Sequence, residues 1–178
     1  CNYPVHVAIK RWMNKNPVSP SDIHQVHIKG LVISRIADNA PSGPVDAMFS
    51  LPYSVATTLT GDALLPEMYD PGRINAADVQ ALLTNISCEP DESADLAWFN
   101  EHRMCYHITI ALTDGKEEIL EPEFPRDKPD IGWSEIEKKF RELAAGSLQA
   151  DSIERVIEMV DSLEKVDDIG QLAKLLAT

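Results

Sequence analysis

Met104-Cys105-Tyr106-His107-Ile108-Thr109-Ile110-Ala111-Leu112, then Thr113-Asp114-Gly115, then Lys116 to Glu121, is the stretch that decides the fold class. Tyr106, Ile108, Ile110 and Leu112 alternate with smaller or more polar residues, the period of a half-buried strand. Asp114-Gly115 is a pair favoured in a two-residue hairpin turn, which needs residues tolerant of positive φ, so Lys116–Glu121 is expected to return antiparallel. Upstream, the run from Ile23 to Ile33 also alternates. Val26 and Ile28 share one face and Leu31 and Ile33 the other, with a phase slip at Gly30 of the kind a β-bulge makes. A short strand is expected over Ile86–Glu89.

Helices surround these strands. Val5, Ile9, Trp12 and Met13 form a stripe at helical spacing over residues 3–15, ended by Asn16-Pro17. Ser19-Pro20-Ser21-Asp22 is a turn, and residues 37–45 read as loop. The stretch from Ala47 to Ala56 is the most apolar in the chain. Pro52 suits the first turn of a helix that runs to Leu59 and stops near Gly61, and apolar residues on most sides predict that this helix is buried. Asn75 is the expected N-cap of a helix over Ala76–Asn85, with Val79, Leu82 and Leu83 as its core stripe. Pro122 to Gly132 is a proline-rich loop, and beyond it the pattern is helical throughout. The amphipathic segments are Ser134–Ala145, Ser152–Leu163 and Asp168–Leu176. The expected fold class is therefore α+β, an antiparallel sheet with helices packed on one face. It occupies residues 1–130, and an all-helical segment follows over 131–178.

Composition narrows the function. The 178 residues carry 16 Lys+Arg against 29 Asp+Glu, a formal charge of −13. A phosphate-binding face needs clustered cations, so nucleic acid and anionic lipid are both disfavoured as partners. No apolar run approaches the ~20 residues of a membrane helix. Cys1, Cys88 and Cys105 lack zinc spacing and read as reduced thiols of a cytoplasmic protein. The chain begins with Cys1 rather than Met. An N-terminal cysteine can be a nucleophile with its own amine as base. The glycine-rich surroundings of such sites are absent, however, and a piece of a longer chain is the simpler expectation.

Few motifs carry chemistry outright. His24 and His27 are three apart on a strand, hence on opposite faces and unable to bind one metal together. His102 and His107 fail in the same way. There is no phosphate loop, nucleophile elbow or Cys-x-x-Cys. Acidic pairs such as Glu135 with Glu137 and Asp167-Asp168 read as solvated surface and N-terminal dipole partners. Two residues stand out. Tyr53 lies in a strongly apolar helix start, where its phenol must either find a hydrogen-bond partner or face a cleft. His6 lies one residue past the apolar position Val5, where ordinary exposed surface is the competing reading.

The segment from Asp46 to Ala56, with Gly61, resembles the signature of the MmgE/PrpD family, which includes 2-methylcitrate dehydratases, cis-aconitate decarboxylase and iminodisuccinate epimerases. Other elements follow in the family's order. Cys1 to His6 is similar to the end of its Lys-x-Tyr-Pro-x-Cys…His segment. Ser21-Asp22-Ile23 to Val26-His27-Ile28 is similar to its Asp-Ile…Val-x-Val strand. Ile108 to Gly115 resembles its strand ending in Asp-Gly, and Trp133 to Phe140 its helix containing Lys-Phe. The loop Asp127-Lys128-Pro129-Asp130-Ile131-Gly132 departs from the family's Gly-x-Pro-x-(Asn/Asp)-Pro pattern.

The resemblance implies a place in a parent protein. Family members have a helical domain built from both chain ends, with an α+β lid inserted between them. Residues 1–130 would be lid, and 131–178 the helices that return to the helical domain. The missing N-terminal helical domain would be a partner of this piece, the motif lysine expected just before Cys1 would be missing too, and a homodimer is expected in the parent. The implied chemistry is a lyase or epimerase reaction on a small polycarboxylate, dehydration of 2-methylcitrate or citrate in the first instance, without metal or organic cofactor. It needs a base, a general acid and cations for the carboxylates. By this resemblance the base lies in the missing N-terminal part, Tyr53 takes a catalytic role as proton donor or carboxylate ligand, and His6 is a second candidate, placed to add a donor beside the missing lysine. The alternative from another class is a non-catalytic interaction or oligomerisation domain, driven by the apolar helix faces of 133–178.

Overall fold

A computed structural model describes residues 2–31, 39–62, 65–125 and 132–177. Ile33, Cys1 and the Asp127–Ile131 loop, each singled out above, lie outside the described residues. Two compact units divide the chain, Cys1–Asp130 and Ile131–Thr178.

The first unit is α+β. Helix α1 (Tyr3–Lys15) leads into strand β1 (Ile23–Gly30). The short α2 (Pro44–Phe49) abuts α3 (Leu51–Leu59), and α4 (Pro71–Ile74) and α5 (Ala77–Leu83) follow. Strand β2 (Ile86–Pro90) and helix α6 (Glu92–Glu101) precede β3 (Arg103–Leu112), β4 (Glu117–Leu120) and β5 (Glu123–Pro125). Among the described residues the strand order is β2-β1-β3-β4, with β5 also on β3. The pairs β1–β3, β3–β4 and β3–β5 are antiparallel, whereas β1–β2 is parallel, so the sheet is mixed. The parallel pair follows from the connection: residues 31–85 contain helices that carry the chain back across before β2 begins.

Val26 and Ile28 of β1 and Tyr106, Ile108 and Ile110 of β3 are buried in one core with Val5, Ile9 and Trp12 of α1 and Val79, Leu82 and Leu83 of α5. The irregularity in β1 lies at its start, where the register shifts between Ile23 and Gln25, and not at Gly30. The additional residue, His24, lets Ile23 and Val26 both turn inward. Gly30 serves close approach instead: a Cβ there would come within 2.3 Å of the Tyr106 ring. The β3–β4 turn is also one residue longer than Asp114-Gly115 alone suggests. Gly115 N–H donates to the Leu112 carbonyl at 3.0 Å and Leu112 N–H to the Lys116 carbonyl at 2.8 Å. Gly115 has φ of 87°, which is the type I turn plus bulge of a three-residue hairpin. Pro122 lacks an N–H and splits the returning strand into β4 and β5, while its carbonyl still accepts from Tyr106 N–H at 3.1 Å.

Asn75 does not cap α5. Ala76 occupies that position, and the Asn75 amide donates back to the Pro71 carbonyl at 2.7 Å, closing α4. Helix α6 has no counterpart in the sequence reading. Its apolar residues Ala94, Leu96, Ala97, Trp98 and Phe99 make no single stripe. Asp91, whose side chain accepts from Ser93 N–H at 2.8 Å, was the signal that marks its start.

The second unit is helical: α7 (Trp133–Ala144), α8 (Ala150–Asp161) and α9 (Gly170–Leu176). Ala144, Ile153 and Ile157 form its small core with Phe140 and Leu148 against them. Arg141 joins α7 to α8 through Glu154 at 2.7 and 2.9 Å.

The Gly30–Tyr106 contact is directly testable. Gly30→Ala should lower unfolding stability by about 1–3 kcal/mol, the scale of overpacking in a filled core. Urea unfolding reads this, and an unchanged midpoint would show that the ring moves aside freely.

Candidate functional site

All nine residues of α3 are buried, and they include Tyr53, Ser54, Thr57 and Thr58. Burying that many hydroxyls requires partners for each. Thr57 Oγ1 donates to the Tyr53 carbonyl at 2.9 Å and Thr58 Oγ1 to the Ser54 carbonyl at 2.6 Å. Ser50 caps the helix by accepting Tyr53 N–H at 3.0 Å. The remaining polar capacity faces α1. Ser54 and Thr58 are one turn apart, as are Asn2, His6 and Lys10, so the two rows meet as a seam.

The seam has three rungs. Asn2 does not cap its own helix; its amide donates to Ser54 Oγ at 2.7 Å and to the Ser50 carbonyl at 3.4 Å. His6 Nδ1 lies 2.7 Å from Thr58 Oγ1. Lys10 Nζ donates to the carbonyls of Gly61 and Asp62 at 3.2 and 3.3 Å, where a cation suits the C-terminal end of α3. Gly61, with φ of 95°, ends that helix. Just beyond it, Arg73 binds Asp62 at 2.6 Å, Asp78 at 2.8 Å and Thr60 Oγ1 at 2.6 Å, tying the end of α3 to the start of α5.

His6 is half-buried, and its pKa is lowered from 6.5 to about 4, first by burial and then by the Lys10 ammonium. The imidazole is therefore neutral at pH 7, able to take up a proton and not to give one. Tyr53 is fully buried. Its hydroxyl donates to the Met68 carbonyl, its ring lies 6.4 Å from that of Tyr69, and burial pushes its pKa up to about 12. Of the two sequence candidates, then, His6 sits at a polar helix–helix seam and Tyr53 within the core, its phenol engaged by backbone. Asn2, Thr58 and Lys10 were not singled out from sequence. The repeat of polar residues at positions 2, 6 and 10 was the available signal.

His27 and His107 serve the sheet. His27 Nδ1 is 2.8 Å from Ser87 Oγ and its Nε2 is 3.4 Å from Glu89, while His107 Nδ1 is 3.1 Å from Glu121. His102 takes the left-handed conformation that closes α6. Burial pushes the Cys88 thiol up to about 12. Among the described residues no group of three His, Cys, Asp or Glu side chains is placed to hold a metal ion, and no helix is long and apolar enough to cross a membrane.

Within the first unit, the sheet and the buried hydroxyl-rich helix define an α+β fold with a polar seam where α1 crosses α3. The chain belongs to the MmgE/PrpD family: the model of the MmgE/PrpD C-terminal domain matches residues 4–165. No curated protein matches it at a significant level.

A depressed histidine pKa makes a signed stability claim. Between pH 4 and 6.5 the unfolded chain binds more protons at His6 than the folded one does, so stability falls as pH drops through that window and is complete above it. The His6 contribution should vanish in His6→Gln, whose stability loss from pH 7 to 5 should be the smaller. An equal or steeper loss in the variant would contradict the assigned shift.

Proposed function

We propose that the chain is the C-terminal part of a cofactor-independent lyase acting on small polycarboxylates, of the 2-methylcitrate or citrate dehydratase kind. Family membership supports the reaction class, and the observation that carries the site is the neutral, half-buried His6 held by Thr58 on the α1–α3 seam. Removing a proton next to a carboxylate needs a base that is unprotonated at working pH. An imidazole held near pKa 4 meets that condition but is weak. A bound polycarboxylate reverses this, because anionic charge beside the ring favours imidazolium and raises its pKa toward the working range. The base would then gain strength when substrate is present.

Tyr53 belongs to the same proposal as donor to a leaving hydroxyl or as carboxylate ligand. Its hydroxyl is bonded to the Met68 carbonyl, so this role requires the Pro66–Tyr69 turn to release it. Cations for the substrate and further acid–base groups are assigned to the N-terminal helical domain of the parent. The apolar side chains of Trp133, Ile136 and Leu143, each more than two-fifths exposed, are proposed to pack on that domain. Those same side chains favour the second reading, a non-catalytic interaction module. A homodimeric parent and a cytoplasmic location complete the proposal. Decarboxylation or epimerisation of a related acid is the alternative within the family.

The test assays the protein that contains this chain against a panel of citrate, 2-methylcitrate, aconitate and iminodisuccinate. Turnover of one of them is expected, with His6→Gln and Tyr53→Phe each lowering it at least about tenfold. Wild-type rates in Tyr53→Phe would confine that residue to the core. Binding or self-association with no turnover of any panel acid would favour the interaction module.

A further inference from the structure

A neutral imidazole presents one protonated and one bare nitrogen, and a base must turn the bare one outward. Resting on the catalytic reading of His6, we propose that Thr58 is a positioning residue that locks His6 in the Nδ1–H tautomer, so that Nε2 carries the available lone pair.

The argument is a count of protons. Thr58 Oγ1 lies 2.6 Å from the Ser54 carbonyl oxygen and 2.7 Å from His6 Nδ1. A hydroxyl owns one proton, and a carbonyl owns none. Two oxygens hold a 2.6 Å separation only with a proton between them, so the Thr58 proton lies on the Ser54 side. The contact to His6 must then be bridged by the imidazole's own Nδ1–H, with Thr58 as acceptor. Nε2 is left bare.

The frame around Thr58 keeps this arrangement in place. Thr58 is 1% exposed, and its β-branched side chain has few rotamers inside a helix. Ser54, one turn earlier, is held from the other side by the Asn2 amide at 2.7 Å. Asn2 and Ser54 therefore fix the approach of the two helices, and Thr58 reads the histidine against it. Valine at 58 would keep the shape and lose the acceptor, whereas serine would keep the acceptor.

The experiment uses the chain labelled with 15N-histidine. Two-bond 1H–15N correlation spectra at pH 7 report which ring nitrogen is protonated, and the His6 signals are those lost in His6→Gln. The wild type and Thr58→Ser should show Nδ1–H. Thr58→Val should move to the Nε2–H form that free histidine favours. In the parent protein, turnover of the panel acid should fall at least about tenfold in Thr58→Val and recover in Thr58→Ser. An Nε2–H pattern in the wild type, or an unchanged pattern in a folded Thr58→Val, would overturn the proposal. If Thr58→Val does not fold, the wild-type and serine spectra decide the question alone. The outcomes separate cleanly: an Nδ1–H pattern with full turnover in His6→Gln would sink the catalytic reading and leave the tautomer assignment standing.

Discussion

Helix α3 is buried along its whole length although four of its nine residues carry hydroxyls. Each unpaired hydroxyl in such a place would cost a desolvation penalty of about 1–3 kcal/mol. The helix answers this in two ways. Thr57 and Thr58 turn their protons back onto the carbonyls one turn earlier. The acceptor capacity that remains, on Ser54 and Thr58, is met by α1, and this fixes where α1 crosses. The apolar residues of α1 then fall against the sheet: Val5, Ile9 and Trp12 join Ile28, Ile108 and Ile110. Satisfying one polar helix thus sets both the packing of the first unit and the placement of His6.

The same constraint accounts for the electrostatics of the site. The imidazole is drawn far enough into the interface to lose solvation, and Lys10 on the same face of α1 adds a second push against protonation. Lys10 is itself held at the C-terminal end of α3, where its charge is useful to the helix. A neutral histidine at neutral pH is therefore a product of helix packing. Tyr53, five residues before Thr58 on the same helix, meets the opposite demand: its phenol is consumed by the Met68 carbonyl in the core.

Much of this was legible in the sequence where periodicity is strong. The alternation of β3 and the helical stripes of α1, α7, α8 and α9 follow from spacing, and the ends of α1 and α3 from Pro17, Pro52 and Gly61. The misreadings share a physical origin. The phase slip expected at Gly30 is not in the β1–β3 ladder, whose register shift lies between Ile23 and Gln25; Gly30 instead admits the Tyr106 ring. Asn75 looked like a cap for α5 and instead closes α4. The parallel pairing of β1 with β2 depends on a connection of more than fifty residues, which local pattern does not encode. Helix α6 lacks an apolar stripe, so only its capping aspartate announced it. For the site, Tyr53 and His6 stand out by their place in the sequence, and family resemblance supplies the catalytic roles expected of them. The polar row of Asn2, His6 and Lys10 could have been found by spacing, but its meaning depends on Ser54 and Thr58 some fifty residues away.

The central claim is that the α1–α3 seam presents a neutral His6 to a polycarboxylate. A crystal structure of the protein containing this chain, with such an acid bound, tests it most directly. The expected result is a ligand atom within about 3 Å of His6 Nε2, with Nδ1 still on Thr58. A ligand seated elsewhere, with Nε2 facing only protein or solvent, would contradict the account.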